Sequence, residues 1–543
     1  MILDLDHEAS LDPGRVGAKA AWLAMARRVG LPVLPGLVVE RSVSTRHMAL
    51  GAATLASRGS GGARLAVSGE PLDIADDLVA GAARLGDHLV ARSSTALEGS
   101  GEWSGAFTSY LDLAPSELPK AVAGCWASAF SVDALERQRS ASIEPGSFTM
   151  AVLVQPALDP AAGGTALLDE TGTVVVHGVK GSPAPLLQGW SGGHEARTSD
   201  AGWVGDDLIE LVGVPALDEI ALQLRKARES LGANQCEWAL DGTIWFLQLA
   251  DHKPPLDISG PDRRHVEADR GLVPVVRVVA RVPGRLGEEL ILPWALAGLP
   301  HTEPVAVAPD PDLSLAARLR DELVSQVWDM PVGPALAAAR ECMVELRGPT
   351  PRQALGRIQD LLPPHPETAA RLLALVEAIR AFMVERGVVR DTAAAWHLGL
   401  PQVEAVLAGP TAAPVSRFGV GRWEPFLASV TLALGDRRQG TPASPGFGAG
   451  IRSHVTHPES GHFPTRGIIT SPQPIPNLAP LLWDAAGLVT ATGSPAAHLF
   501  ESARALGVPA VCGLELDEAD QIVAVDGHAG VVATLSLNGD DDV

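Results

Sequence analysis

Cysteine is scarce in this sequence. The 543 residues include four cysteines, which lie far apart and form no C-x-x-C pair: Cys125, Cys236, Cys342 and Cys512. This spacing argues against a disulfide framework and against a cysteine zinc site. We therefore expect a protein of the reducing cytoplasm.

Positive charge is also in short supply. Lysine and arginine total 42 against 64 aspartate and glutamate residues, so the formal net charge is −22. Such a field repels nucleic-acid phosphates and anionic lipid head groups, and we expect neither nucleic acid nor a membrane surface as a partner. Five of the 42 basic residues are lysines, so a lysine inside a motif carries information.

Long hydrophobic runs are missing as well. The most apolar stretch, Leu272–Val282, is interrupted by Arg277 and Arg281 and is too short for a transmembrane helix. The acidic N-terminal segment has no basic region followed by an apolar one, so we expect no secretory signal. What is present is the composition of a folded protein, 46% hydrophobic and 20% charged. The length predicts three or four domains.

Composition and periodicity divide the chain into three predicted domains. Residues 1–255 alternate helical patterns with short β-rich runs, which predicts a mixed α+β domain with a nearly antiparallel core. Residues 266–450 are predicted to be mostly helical, and residues 465–538 to form a small α/β domain. Proline- and glycine-bearing stretches at about 253–265 and 440–465 are predicted linkers.

The sharpest local signal surrounds His498. A turn that begins at Gly493 places His498 at the start of an amphipathic helix, which is predicted to stop at Gly507 before Pro509 enters a buried strand. A helix N-terminus favours an anion, so the free N–H groups of the first turn would stabilise a phosphoryl group on the ring. The alternative is an ordinary surface histidine.

This segment resembles the phosphohistidine domain of the phosphoenolpyruvate synthase and pyruvate phosphate dikinase family. The family motif GG-x-x-SH-A-A-x-x-A-R-x-L-G-[IV]-P-A-V surrounds the histidine that carries phosphate. Ala503-Arg504, Leu506-Gly507 and the Val508–Val511 ending agree with it, whereas Ser494 replaces the second glycine and Ala497 the serine. The resemblance implies that His498 is the catalytic residue.

The N-terminal region resembles the ATP-grasp domain of the same family. Gly17–Leu23 is similar to GGK-x-x-x-L, Gly30–Gly36 to GLPVP-x-G, and Val90–Thr95 to VRSSA, and a glycine-rich stretch follows at Glu98–Leu111. The resemblance implies that Lys19 and Arg92 bind the phosphates of ATP. It also implies that the glycine-rich stretch folds over those phosphates.

Two further stretches resemble motifs that close the nucleotide site in this family. Cys236–Ala239 is similar to D-[IV]-E-W-A, and Phe246–Gln248 to L-Q-x-R-P. The resemblance implies that Glu237 binds Mg²⁺ and that Gln248 contributes to nucleotide binding. Gln235 stands in the place of a metal-binding aspartate, and Ala250 in the place of the arginine.

The resemblance implies a complete architecture and a reaction. An ATP-grasp-like N-terminal domain, a mostly helical acceptor-binding domain and a small swivelling β/α phosphohistidine domain follow the order found in rifampin phosphotransferase-type dikinases. ATP and Mg²⁺ would phosphorylate His498, which would pass the phosphoryl group to a small organic acceptor and leave AMP and phosphate. Two alternatives stay open: an ATP-driven condensing or dehydrating enzyme with the same relay, and a non-catalytic member with a degenerate nucleotide site.

Overall fold

The computed structural model describes residues 1–251 without 142, together with residues 276–277, 279–280, 380–389, 392, 394–398, 424–456, 467–516 and 521–536. The chain divides into two compact units. Unit 1 comprises Met1–Leu256, Gln473–Pro480 and Thr492–Leu506, and unit 2 comprises the remainder of the chain. The predicted mixed α/β multidomain class is confirmed. Most of the predicted helical domain at 266–450 lies outside the described residues, and the three domain boundaries remain predictions.

The first sheet of unit 1 has five strands in the order β1-β2-β5-β3-β4, all of them antiparallel. These strands are β1 (Ile2–Asp4), β2 (Leu37–Val39), β3 (Leu89–Ser94), β4 (Ser109–Leu113) and β5 (Ala151–Pro156). Four helices belong to this part of the chain: α2 (Thr45–Gly69), α3 (Ala75–Ala82), α4 (Leu118–Ala127) and α5 (Val132–Ser140). Its hydrophobic core contains Trp126 and Phe130, both of which are fully buried.

The second sheet of unit 1 has six antiparallel strands in the order β11-β10-β6-β7-β8-β9. The strands are β6 (Ala162–Leu168), β7 (Val174–Lys180), β8 (His194–Ser199), β9 (Gly202–Val204), β10 (Gln235–Asp241) and β11 (Thr243–Ala250). The helices of this part are α1 (Pro13–Arg28), α6 (Ala184–Leu187), α7 (Asp206–Val212) and α8 (Val214–Leu231). The nearly antiparallel core predicted for this region is confirmed.

The two faces of this second sheet differ in chemistry. Cys236 and Trp238 on β10 are buried in the core that includes residues of α1 and α8. Because side chains alternate along a strand, Gln235 and Glu237 lie on the opposite face. Residues paired directly across strands share a face, so a row of polar side chains crosses five strands on that side. The row consists of Gln248, Glu237, Thr165, His177 and Glu195.

Unit 2 contains an eight-stranded mixed sheet in the order β12-β19-β18-β14-β15-β16-β17-β13, in which β14 to β17 run parallel. The strands are β12 (Asp436–Gln439), β13 (Thr441–Ser444), β14 (Phe447–His454), β15 (Ile468–Ser471), β16 (Gly487–Thr490), β17 (Ala510–Cys512), β18 (Gln521–Asp526) and β19 (Val531–Ser536). Helix α9 (Glu424–Leu434) packs against β14, β18 and β19. Helix α10 (His498–Leu506) belongs to unit 1.

One predicted linker is wrong over most of its described length. Residues 441–444 and 447–454 are strands, although glycine and proline there predicted a break. Gly448 shows the reason, because an added Cβ would lie 1.9 Å from the carbonyl oxygen of Ala486. Here glycine permits a close backbone approach inside a sheet. The predicted linker at 253–265 lies outside the described residues.

No helix in the described part of the chain combines the length and the apolar character that crossing a membrane requires.

Candidate functional site

His498 is the first residue of helix α10, as the sequence predicts. A turn precedes it, in which Gly493 has a φ of 111° and the Ala497 N–H donates to the Ser494 carbonyl at 3.0 Å. Leu499 and Phe500 are fully buried and anchor the helix, while the His498 side chain keeps 12% exposure. Gly507, at a φ of 66°, follows the last helical residue. The motif therefore places an imidazole at the N-terminal end of a firmly packed helix.

Two side chains hold the His498 ring at Nδ1. The Ser104 hydroxyl oxygen lies 2.7 Å from Nδ1, and the Glu501 Oε2 atom lies 3.0 Å from it. The Ser104 hydroxyl also donates to Glu501 Oε2. Sequence reasoning did not select Ser104 or Glu501. The i to i+3 spacing of His498 and Glu501 on a helix was an available signal, because it places the two side chains on one face.

Glu501 has a second partner on the polar face of β10. The Gln235 side-chain amide donates to Glu501 Oε1 at 2.5 Å. Burial by itself would raise the pKa of the Glu501 carboxyl, but the hydrogen bonds from His498 and Ser104 and the nearby Arg504 outweigh burial and lower the pKa to about 2. Glu501 is therefore an ionised carboxylate at neutral pH, with both oxygens hydrogen-bonded.

The glycine-rich stretch packs directly on His498. Gly105 has a φ of 67°, and an added Cβ would lie 3.1 Å from His498 Cδ2 and 3.2 Å from Pro476 Cβ. The fully buried Arg137 binds the backbone of this stretch. Its guanidinium donates hydrogen bonds to the carbonyl oxygens of Glu102 at 3.2 Å and Ser104 at 3.0 Å. It also donates to the Pro476 carbonyl at 2.8 Å. Sequence reasoning did not select Arg137.

Lys19 is a residue of helix α1 and lies beside the C-terminal end of strand β3. Its Nζ atom is 3.0 Å from Glu98 Oε1, and the two side chains are 9% and 11% exposed. Glu98 Oε2 accepts a hydrogen bond from the Thr95 N–H at 2.8 Å. Gly17, at a φ of 76°, brings α1 so close to β3 that an added Cβ would lie 2.2 Å from the Ser94 carbonyl oxygen. The Gly-Ala-Lys segment is therefore fixed against the end of this strand.

Arg92, Glu237 and Gln248 come together at the same strand. Arg92 is 3.2 Å from Glu237 Oε2, and its guanidinium also donates to the Leu247 carbonyl. Gln248 is the cross-strand neighbour of Glu237. Arg92 lies on β3, three residues before Thr95, whose N–H binds Glu98. One short segment of the chain therefore connects the Lys19–Glu98 ion pair with the Arg92–Glu237 ion pair. The structure thus brings all four predicted nucleotide-binding residues into one region of unit 1.

The polar row continues beyond Glu237. Burial and the positive charge of Arg504 lower the pKa of His177 to about 4, so the imidazole is neutral at pH 7. Thr165, between His177 and Glu237, is also buried. The sheet therefore presents buried hydrogen-bonding groups on the face that carries Gln235, the partner of Glu501.

The side chains suit a nucleotide with its metal ion. Lys19 and Arg92 are cations of the kind that bind phosphates, and in this structure each is ion-paired with a carboxylate, Glu98 and Glu237. Thr95 adds a buried Oγ1 that has no hydrogen-bond partner among the residues that the structure describes. Among the described residues no group of three or more histidine, cysteine, aspartate or glutamate side chains is arranged to hold a metal ion by itself. Mg²⁺ bound with phosphates typically uses one or two protein carboxylates, and Glu237 supplies one here.

Comparisons with known proteins match two separate parts of the chain. Residues 71–189 match the model of the pyruvate phosphate dikinase AMP/ATP-binding domain, and residues 463–530 match the model of the PEP-utilising enzyme mobile domain. The first match includes Arg92 and the glycine-rich stretch, and the second includes His498. The chain is also 34% identical over 103 residues to a probable phosphoenolpyruvate synthase of Staphylothermus marinus, a match that covers 17% of this chain and 12% of that protein. Two parts of the chain are therefore similar to domains of the phosphoenolpyruvate synthase and pyruvate phosphate dikinase-like family.

Proposed function

We propose that this protein is an ATP-dependent phosphotransferase of the dikinase type, with His498 as the phosphoryl carrier. One observation carries the proposal: the Ser104 hydroxyl of the glycine-rich stretch lies 2.7 Å from His498 Nδ1. The stretch lies in the ATP-binding match and the histidine in the mobile-domain match. A covalent carrier divides one difficult transfer into two steps, each with its own in-line geometry.

The proposed reaction balances with one water molecule. ATP, water and an acceptor hydroxyl give AMP, inorganic phosphate and a phosphorylated acceptor, so both phosphoanhydride bonds break. A His498 ring nitrogen attacks the β-phosphorus, and the bond to the oxygen that stays with AMP breaks. Water takes the γ-phosphoryl group, the acceptor takes the β-phosphoryl group, and the histidine is regenerated.

The four predicted nucleotide-binding side chains receive roles under this proposal. Lys19 and Arg92 neutralise the phosphates, and Glu237 and Gln248 hold Mg²⁺ and the nucleotide. Bound Mg²⁺ supplies further neutralisation of phosphate charge. The family resemblance supports a small organic acceptor, and the four widely spaced cysteines support a cytoplasmic location. The strongly acidic chain argues against nucleic acid or a membrane surface as a partner.

Labelling with ATP tests the proposal. Protein incubated with β-labelled ATP and Mg²⁺ should acquire acid-labile, base-stable label and release AMP. The label should disappear in His498→Ala and persist in His528→Ala, a matched control at an exposed histidine within the same mobile-domain match. Undiminished label in His498→Ala would rule out this carrier.

A non-catalytic relative is the second candidate, and the chemistry of β10 favours it. Gln235 stands where the family resemblance expects a metal-binding aspartate, and its amide is committed to Glu501. Ala250, its cross-strand neighbour, stands where an arginine is expected. The same incubation separates the two candidates, because a non-catalytic relative binds ATP without forming AMP.

A further inference from the structure

We propose that Glu501, held by Gln235 and Ser104, is a positioning residue that keeps a proton on His498 Nδ1 and directs the phosphoryl group to Nε2. This inference rests on the proposed function and deepens it. It gives a role to three side chains that the proposed function leaves unused.

The proton on Nδ1 follows from counting donors and acceptors. Glu501 is ionised, so its oxygens can accept hydrogen bonds but cannot donate them. The single hydroxyl proton of Ser104 is donated to Glu501 Oε2. Because that proton is used, the Ser104 Oγ at 2.7 Å and the Glu501 Oε2 at 3.0 Å can only accept a hydrogen bond from Nδ1. If Nδ1 carried no hydrogen, its lone pair would face the lone pairs of both oxygens. The contact is favourable when Nδ1 carries the hydrogen and donates it.

A proton on Nδ1 leaves the lone pair of a neutral ring on Nε2. Within the described part of the chain, every hydrogen bond to the His498 ring is made at Nδ1. As the Nε2–phosphorus bond forms, the electrons of the broken phosphorus–oxygen bond leave with AMP, and the ring becomes positively charged. The Glu501 carboxylate, 3.0 Å from Nδ1, stabilises that charge, as a carboxylate does when it orients a catalytic histidine in other enzymes.

Gln235 completes the arrangement because it is an amide. Its Nε2 atom donates to Glu501 Oε1 at 2.5 Å, and so holds the carboxylate from the side opposite the histidine. An aspartate or glutamate at this position would set two negative charges against each other in a buried setting. The amide at 235 and the carboxylate at 501 therefore form a matched pair.

The test uses full-length variants with two readouts. The first is the single-turnover rate of His498 labelling from β-labelled ATP and the isomer of the phosphohistidine formed. The second is the tautomer of the neutral His498 ring, measured by ¹⁵N NMR on protein with ring-labelled histidine, with the signal assigned through His498→Ala. Because the second readout needs no ATP, it tests this inference even if the proposed function fails.

We expect wild-type protein to carry the proton on Nδ1 and the label on Nε2. Glu501→Leu should shift the tautomer towards Nε2–H and slow labelling about 10- to 100-fold, by analogy with the loss of a carboxylate that orients a metal-binding histidine. Glu229→Leu, a matched change at an exposed glutamate of α8, should alter neither readout. An unchanged tautomer in Glu501→Leu, or a wild-type proton on Nε2, would overturn the inference.

A second pair of variants, at positions 235 and 501, tests the inference even if Glu501→Leu misfolds. Gln235→Glu should shift the tautomer by itself, since it sets a carboxylate against Glu501. The double variant Gln235→Glu/Glu501→Gln again has one carboxylate, now at 235, and one amide, now at 501. The amide oxygen at 501 can accept a hydrogen bond from Nδ1, so the proton should return to Nδ1. Labelling should stay slow, because no carboxylate lies next to the ring. If the double variant behaves no better than Gln235→Glu alone, the matched pair is wrong.

Discussion

Lys19 and Glu98 form a nearly buried ion pair, which makes each side chain depend on the other. Removing one partner leaves a charge in a poorly hydrated position and destabilises a protein strongly. A loss of ATP binding in a lysine variant could therefore come from either a lost phosphate contact or a damaged site.

A double variant separates these two effects. Lys19→Met should lower the free energy of unfolding by about 3 kcal/mol, the cost of an orphaned buried partner. Lys19→Met/Glu98→Gln should recover most of that stability, because no uncompensated charge remains. Denaturant unfolding measures the stability, and calorimetry with ATP and Mg²⁺ measures binding. ATP binding should stay weak in both variants, and wild-type affinity in the stable double variant would exclude Lys19 from the nucleotide site.

At the scale of elements, the glycine-rich stretch is held from two sides. Arg137 of α5 binds its carbonyl oxygens, and Gly105 lies against the His498 ring at the N-terminus of α10. The stretch therefore helps to set the position of the histidine.

Gly105→Ala tests this coupling. A Cβ at 105 would press on His498 Cδ2 and Pro476, so labelling of His498 should fall at least tenfold, with a loss of stability of about 1–2 kcal/mol from the positive φ. Gly242→Ala is the matched control, since Gly242 has a φ of 65° and nothing within 4 Å of an added Cβ. It should lose similar stability and label at the normal rate. Equal labelling rates in the two variants would contradict a positioning role for this stretch.

At the scale of the whole molecule, the proposed relay requires His498 to leave the nucleotide site for an acceptor site. The segment that carries His498 belongs to unit 1 together with the glycine-rich stretch. An added Cβ at Gly101 would lie 3.4 Å from Ala505 Cβ, close enough for an engineered disulfide.

Gly101→Cys/Ala505→Cys should hold the histidine at the nucleotide site when oxidised. We expect the oxidised protein to label normally from β-labelled ATP and to retain the label when challenged with a pool of small hydroxy and keto compounds. The reduced protein should lose the label at least tenfold faster to any compound that serves as acceptor. The single-cysteine variants serve as controls. Equal discharge by oxidised and reduced protein would mean that no carrier movement is needed.

The secondary structure was predictable where the hydrophobic periodicity and the helix- or strand-ending residues of a segment indicate the same element. The hydrophobic pattern of the sequence predicts a strand at Thr243–Leu249 and a helix at Leu217–Leu231. They correspond to β11 and α8 within a few residues. Helical apolar spacing also predicts one helix at Ser116–Arg139. This helix is instead interrupted by a short 3-10 helix at Ser128–Phe130, and α5 begins after Ser131, its N-cap. The sequence does not predict α2, which consists of two helical segments joined at a kink at Gly59 (φ 62°), because its glycine and serine residues weaken the helical pattern.

The sequence alone determined what depends on neighbours along the chain. It located the helix that starts at His498, the glycine that ends it, the antiparallel character of the N-terminal region and the family resemblance. Tertiary structure decided which side chains surround that histidine. Ser104, Gln235 and Glu501 meet across separations of 131 or more residues, and no local pattern specifies such a meeting. It arises because the two faces of β10 differ, so that burying Cys236 and Trp238 turns Gln235 towards the Glu501 carboxylate.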